Sequence, residues 1–239
     1  MKLIIAEKRS VAASIASALG ATSRADGFYE GNNLLVSWCV GHLVSPMEAA
    51  GYDPRFRKWH FEDLPILPEL FRYVLTSGKE ATFENLRSLM GRSDVDTIVN
   101  ACDAGREGEL IFRLVYEMVG CRKPVRRLWV SSMEDNAIRD GFSDLRPGAD
   151  YEALYQSALC RQKADWLVGI NATRLFSVLY HRTLNVGRVL TPTLAMLVER
   201  ERKISQFQRE KYYVLRLELN GAEAVSEKFT DPAEAEQAA

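Results

Sequence analysis

Two short apolar runs, each ending in an acid, constrain this chain most. Leu3-Ile4-Ile5-Ala6 runs directly into Glu7, and Val95–Ala101 runs into Asp103-Ala104-Gly105-Arg106-Glu107-Gly108-Glu109. Apolar runs this short, bounded by turn signals, read as buried strands. Both acids then stand where a strand gives way to a helix. In an open parallel sheet that carboxyl edge is where ligands bind. Carboxylates gathered there cannot all ionise cheaply without a cation, and a hard ion such as Mg²⁺ is the natural neutraliser. The residues alone also allow a plainer reading. The Gly-rich loop can be a helix N-terminus, with Glu107 and Glu109 favoured by the dipole, and Glu7 a cap or an ion-pair partner.

The pattern around these runs alternates strand and helix. Ser10–Leu19 carries Val11, Ile15 and Leu19 at four-residue spacing, with Gly20 as a stop. Leu34–Val40 reads as a strand after a Gly31-Asn32-Asn33 hairpin turn. Four prolines make residues 43–68 a long irregular excursion. Helix over Ala81–Met90, strand over Val95–Ala101, helix over Glu107–Val119, strand over Val125–Val130 and helix over Asp135–Leu145 complete the series. The fold class expected is α/β, a parallel sheet covered by helices. After Pro147-Gly148 the pattern becomes mainly helical, over Asp150–Tyr180 and Thr193–Phe207, with a strand at Tyr213–Leu219. The expected division is 1–146, 147–220 and a truncated or disordered tail over 221–239.

Composition narrows the class. At 239 residues, 47% apolar and 26% charged, the chain reads as soluble and globular. It has no run long enough for a membrane span and no signal-peptide pattern. Its four scattered cysteines form no C-x-x-C pair, and a cytoplasmic setting is expected. Charge is uneven: residues 1–150 carry −2, residues 151–220 carry +5, and residues 221–239 carry −4. A basic section beside an acidic site suits a polyanion substrate, although a charged helix face explains it equally.

Several segments in order resemble the N-terminal part of type IA DNA topoisomerases, nearest to the bacterial topoisomerase III branch. They are Ile5-Ala6-Glu7-Lys8, Gly41-His42-Leu43, Asp103 to Glu109, and Arg127-Leu128-Trp129-Val130-Ser131-Ser132. The resemblance continues through Ala164-Asp165-Trp166-Leu167-Val168-Gly169-Ile170-Asn171-Ala172-Thr173-Arg174, Val186-Gly187-Arg188-Val189 and Pro192-Thr193-Leu194. It covers residues 1 to about 220. It implies a Toprim domain, a Rossmann-like unit whose acids bind Mg²⁺, followed by the start of a helical domain that binds single-stranded DNA. By position, Asp103 and Glu107 would hold the metal with Glu7. Glu7 would also act near the scissile phosphate as a general acid or base, and Lys8 would contact that phosphate. Arg161, Arg174 and Arg188 would hold DNA, with Asp165 orienting Arg161 from one turn away. Trp166 is expected in the core.

The resemblance has departures and a gap. Gly105 stands where many relatives carry a second Asp, which leaves the number of metal ions open; Glu109 is expected to face away along its helix. Leu190 replaces a Gln that often follows Gly-Arg-Val. The family's nucleophile is a tyrosine in a Tyr-x-Arg setting downstream of that motif. Tyr180-His181-Arg182 precedes it, so the nucleophile is expected to be missing from this chain, which would then be inactive alone. No G-x-x-x-x-G-K-[ST] phosphate loop occurs, so no ATP is expected. The implied substrates are single-stranded DNA and negatively supercoiled or linked DNA, with no membrane. Two other readings stay open: a stand-alone Toprim nuclease and a non-catalytic DNA-binding module.

Overall fold

The computed structural model describes residues 1–239 and divides into two compact units, Met1–Arg188 and Val189–Ala239. The first unit contains β1 (Lys2–Ala6), α1 (Arg9–Leu19), β2 (Ser23–Ala25), β3 (Phe28–Gly31) and β4 (Leu34–Trp38). It continues with β5 (Val44–Pro46), α2 (Ala49–Tyr52), β6 (Tyr73–Leu75), α3 (Glu80–Gly91), β7 (Thr97–Ala101) and α4 (Arg106–Val119). It closes with β8 (Val125–Arg127), α5 (Asp135–Ser143), β9 (Arg146–Pro147) and α6 (Glu152–Leu179). The second unit contains α7 (Leu190–Ser205), β10 (Arg216–Leu219), β11 (Ala222–Val225) and α8 (Pro232–Ala238).

Seven strands form one sheet in the order β2-β3-β4-β1-β7-β8-β9. The middle four are parallel, with Ala6 level with both Trp38 and Ala101. The flanks are antiparallel, so the sheet is mixed rather than all parallel. The β2–β3 hairpin, absent from the expected pattern, pairs through strands of three and four residues that carry no strong apolar alternation. Asn32 and Asn33 both adopt positive φ between β3 and β4. Asparagine tolerates that conformation, and it suits the twist of a two-residue hairpin turn.

Strand β1 is buried on both faces, which is why it reads as an unbroken apolar run. Leu3 and Ile5 enter one core with Phe83 and Leu86 of α3, Leu110 and Leu114 of α4, and Tyr155 of α6. Ile4 and Ala6 enter the other with Ala12 and Ile15 of α1 and Ile138 of α5. Each large aliphatic side chain so buried contributes about 1.5–3 kcal/mol. Helix α1 stops at Gly20, which takes the left-handed conformation with φ 77°.

The proline-rich excursion is more ordered than its sequence implies. It contains β5, α2 and two turns of 3₁₀ helix, Pro54–Arg57 and Phe61–Asp63. It is pinned to α6 through side-chain bonds. The Asn171 amide accepts from the Ile66 N–H at 2.6 Å and donates to the Ile66 carbonyl at 3.0 Å. Trp166 Nε1 donates to the Met47 carbonyl at 3.1 Å, and its ring packs edge-on against Tyr52 and Phe71. Residues 221–239, expected as a loose tail, carry β11 and α8; in that unit β10 and β11 pair as a hairpin. No helix of the structure is long and apolar enough to cross a membrane.

The loop between β7 and α4 rests on a buried charged cluster. Arg127, at the end of β8 and 1% exposed, donates through Nη1 to the carbonyls of Asn100, Cys102 and Leu128. Its Nη2 donates to the Asp103 carbonyl at 2.7 Å. Its Nε lies 3.2 Å from Glu109 Oε2, a charge contact rather than an aligned hydrogen bond. Asn100 Nδ2 donates to the same Glu109 oxygen, and Arg113 Nε donates to the other at 2.9 Å. Glu109 does turn away from the sheet edge, but into the core, where it is 1% exposed. Removing one partner of such a cluster leaves a charge buried without compensation. Arg127→Met is therefore expected to lower the unfolding free energy by about 3–5 kcal/mol. Urea denaturation followed by circular dichroism checks this; a loss below about 1 kcal/mol contradicts it.

Candidate functional site

The register of the parallel strands builds the site. Because Ala6 and Ala101 are paired neighbours, the residues after them, Glu7 and Cys102-Asp103, leave the sheet side by side. Helix α4 then starts at Arg106 with Gly105 as its cap residue, placing Glu107 in the first turn. Unpaired N–H groups and the helix dipole favour negative charge at that end. Gly108 allows the approach: a Cβ there would run into the Asp103 backbone, whose nitrogen lies 2.8 Å away and whose carbonyl oxygen lies closer still. No substitution at Gly108 fits without moving the acid loop.

Lys8 joins the two acidic segments. Its Nζ lies 3.3 Å from Glu7 Oε1 and 3.7 Å from Asp103 Oδ2. The Glu7 carboxylate, by hydrogen bonding and charge, and then Asp103 hold the lysine pKa above its ordinary value. Glu107 has different partners. Its Oε2 lies 3.8 Å from His42 Nε2, and its Oε1 lies 3.6 Å from Arg161 Nη1 of α6. Every carboxylate of the edge thus already faces a cationic or protonatable group. No three His, Cys, Asp or Glu side chains converge closely enough to hold a metal ion as they stand. The donor chemistry nevertheless fits a hard divalent cation: Glu7, Asp103 and Glu107 offer only carboxylate oxygens, and the last two are half exposed.

Further along α6 the expected roles shift. Asp165 lies 3.8 Å from Arg161 Nε, a loose contact. Its close partner is Arg188, which grips it with two bonds, Nε–Oδ1 at 2.6 Å and Nη2–Oδ2 at 3.3 Å. The Arg188 hydrogen bond holds the Asp165 pKa below the usual carboxylate value. Asp165 therefore orients Arg188 first and Arg161 second, the reverse of the spacing argument. A neighbour four residues away is always within reach on a helix, whereas Arg188 arrives from a loop that periodicity cannot place. Arg174 is 7% exposed, with its guanidinium 5.5 Å from the centre of the Trp59 ring. Burial lowers its pKa.

The structure thus forms two runs of charge contacts at this edge: Glu7, Lys8 and Asp103 in one, and Glu107, Arg161, Asp165 and Arg188 in the other. Arg174 joins neither run; it lies in a cleft that Asp165 also lines. Sequence reasoning gave no individual role to Arg127 or His42, and expected Glu109 only to face away along its helix. A sign of Arg127 was present: two arginines, Arg126 and Arg127, interrupt the strand predicted over Val125–Val130, and the second of them is buried.

Comparison with known proteins finds two families in order along the chain. Residues 2–133 match the Toprim domain family, and residues 149–239 match the DNA topoisomerase family. The DNA topoisomerase 3 of Bacillus subtilis (strain 168) is 44% identical over 219 residues, 92% of this chain and 30% of that protein. That of Staphylococcus epidermidis is 43% identical over 219 residues, 92% of this chain and 31% of that protein. The chain therefore spans about three-tenths of the relatives it matches. The solved full-length topoisomerase I from Thermotoga maritima has the same fold, with a TM-score of 0.62. The identity there is 24%, over 99% of this chain and 37% of that one. A Toprim domain followed in order by a topoisomerase segment, at this level of identity to proteins named DNA topoisomerase 3, places the chain in the type IA DNA topoisomerase family.

Proposed function

We propose that this chain is the metal-binding and strand-holding part of a topoisomerase III, which transiently cleaves one DNA strand, passes another and reseals the first. The observation that carries this reading is the joining of the two acidic segments through Lys8, in contact range of carboxylates at the carboxyl edge of the sheet. Asp103 and Glu107 would hold Mg²⁺ with Glu7. The ion supplies compensation for phosphate charge while DNA is cut and rejoined.

The protein's own groups do the rest. Lys8 is placed to meet a phosphate oxygen, exchanging its carboxylate contacts for a new anion. Glu7 is mostly shielded and stands 3.3 Å from the lysine, placed to act as general acid or base beside the scissile phosphate. Arg161 and Arg188 present guanidinium groups from one side of the same edge, oriented by Asp165. They would fix the single strand through its phosphates without reading sequence. After Gly187-Arg188-Val189 the tyrosines present are Tyr212 and Tyr213, and neither stands in a Tyr-x-Arg setting. The reading therefore assigns the nucleophile to a residue outside these 239. The substrates are single-stranded and negatively supercoiled or linked DNA, without ATP, in the cytoplasm.

Four outcomes test the reading. Single-strand binding by this chain, read by fluorescence anisotropy, is expected to strengthen with Mg²⁺. Asp103→Asn is expected to weaken Mg²⁺ binding by about an order of magnitude or more, because ligand charge sets divalent affinity. Mg²⁺-indifferent binding that survives this substitution supports a plain DNA-binding module instead. Supercoiled plasmid is expected to stay supercoiled with the 239-residue chain; Mg²⁺-dependent nicking lost in Glu7→Gln favours a nuclease. Finally, Gly105 is extended at φ 174° with nothing within 4 Å of a would-be Cβ. Gly105→Asp is expected to leave the melting temperature nearly unchanged and to tighten Mg²⁺ binding by calorimetry. No gain in affinity argues that the metal lies elsewhere.

A further inference from the structure

The chain that leaves β4 grips the end of β1 through three successive amides. The Cys39 N–H donates to the Ala6 carbonyl at 2.8 Å. The N–H groups of Val40 and Gly41 both donate to the Glu7 carbonyl, at 3.2 and 3.3 Å. Bringing two neighbouring amides onto one oxygen bends the backbone sharply: Val40 takes φ 132° and Gly41 takes φ 67°. A β-branched residue at positive φ is strained, and such strain persists only where surrounding contacts over-determine it. Packing does not offset it here, because the Val40 side chain is 47% exposed. The contacts come instead from the segment between β6 and α3. Lys79 Nζ donates to the Val40 carbonyl at 3.1 Å, and the Thr76 N–H donates to the Leu43 carbonyl at 2.8 Å. The turn is thus held at both ends, and between them His42 Nε2 reaches Glu107 at 3.8 Å. The Lys79 ammonium is bonded to a carbonyl rather than to a carboxylate, so its one hydrogen bond goes to the turn.

We infer that Lys79 is a positioning residue for the acidic edge. It latches the 40–42 turn in its strained form, and that form holds the Glu7 backbone and brings His42 to Glu107. Without the latch, Val40 returns to negative φ, the two amides leave the Glu7 carbonyl, and the carboxylates lose their spacing. Groups that orient metal ligands from behind change affinity about 10–100-fold when removed. The direction of the effect separates two roles. A lysine acting only by its charge repels a cation, so its removal tightens Mg²⁺ binding. A lysine acting through the turn does the opposite, and its removal weakens binding. The inference rests on the proposed function, and it adds a residue that acts on the acids only through the turn.

The test uses the full 239-residue chain. Amide protection is read by hydrogen exchange in metal-free buffer, and Mg²⁺ affinity by calorimetry. Lys79→Met is expected to lower the protection of the Val40 and Gly41 amides about tenfold, while the amide of Ile4 in β1 keeps its protection, which separates local opening from global unfolding. Mg²⁺ binding is expected to weaken about tenfold. Lys79→Arg still carries donors for the carbonyl and is expected to keep both values near those of the unchanged chain. Val40→Gly added to Lys79→Met is expected to restore both, because glycine takes the bent form without strain. Three results each overturn this inference and leave the function reading intact: protection at positions 40 and 41 that Lys79→Met leaves untouched, Mg²⁺ binding that it leaves equal or tightens, or a double variant no better than Lys79→Met. Unchanged chain that binds no Mg²⁺ overturns both.

Discussion

The acid loop depends on a cation that never reaches the surface. Arg127 spends its guanidinium on the carbonyls of Asn100, Cys102, Asp103 and Leu128, while Glu109 supplies the opposing charge. Burying two ions is expensive, and a hydrophobic pair is often as stable. What the pair provides here is direction. A chain leaving a strand has carbonyls with no sheet partner, and one planar donor collects several of them at once. The loop conformation is thereby fixed from beneath, and the Asp103 side chain is left free to face outward, half exposed. Arginine suits the task because it keeps its charge even where burial presses the pKa down.

Much of this was legible in the sequence, and for identifiable reasons. The central strands were visible because β1 and β7 are buried on both faces, leaving no polar alternation to confuse the pattern. Helix α1 was visible through its four-residue spacing and its terminal glycine. The acids stood out because they follow those strands directly. The β2–β3 hairpin was not visible, since Ser23–Ala25 is a short polar edge strand and Phe28–Gly31, beside it, is only four residues long and half-buried throughout, with no apolar alternation to mark it. The order within 43–68 was hidden for another reason: its anchors, Asn171 and Trp166, lie more than a hundred residues away.

The same division holds at the site. Glu7, Lys8, Asp103 and Glu107 could be named from their positions after strands and from family resemblance. Their partners could not. That Glu107 meets His42 and Arg161, or that Asp165 prefers Arg188 to Arg161, follows from loops arriving over α6. Local spacing gives only the nearest neighbour on the helix, and here it gave the weaker of two bonds. Glu109 shows the converse. Two residues beyond Glu107 on the same helix, it points into the core, because a step of two along a helix crosses to the opposite side.

The charges along the edge alternate in sign. Glu107 contacts Arg161, Arg161 contacts Asp165, and Asp165 contacts Arg188. The sharing is unequal: Asp165 is held closely by Arg188 and loosely by Arg161, and Arg161 touches Glu107 and Asp165 at similar long distances. A newcomer that neutralises one member loosens its hold on the next. A cation settling on Glu107 would free Arg161 for an anion, and an anion on Arg188 would return Asp165 to Arg161. By linkage, any such effect must run equally in both directions. The row therefore behaves like a balance with several pans: a charge laid on either end would be felt at the other.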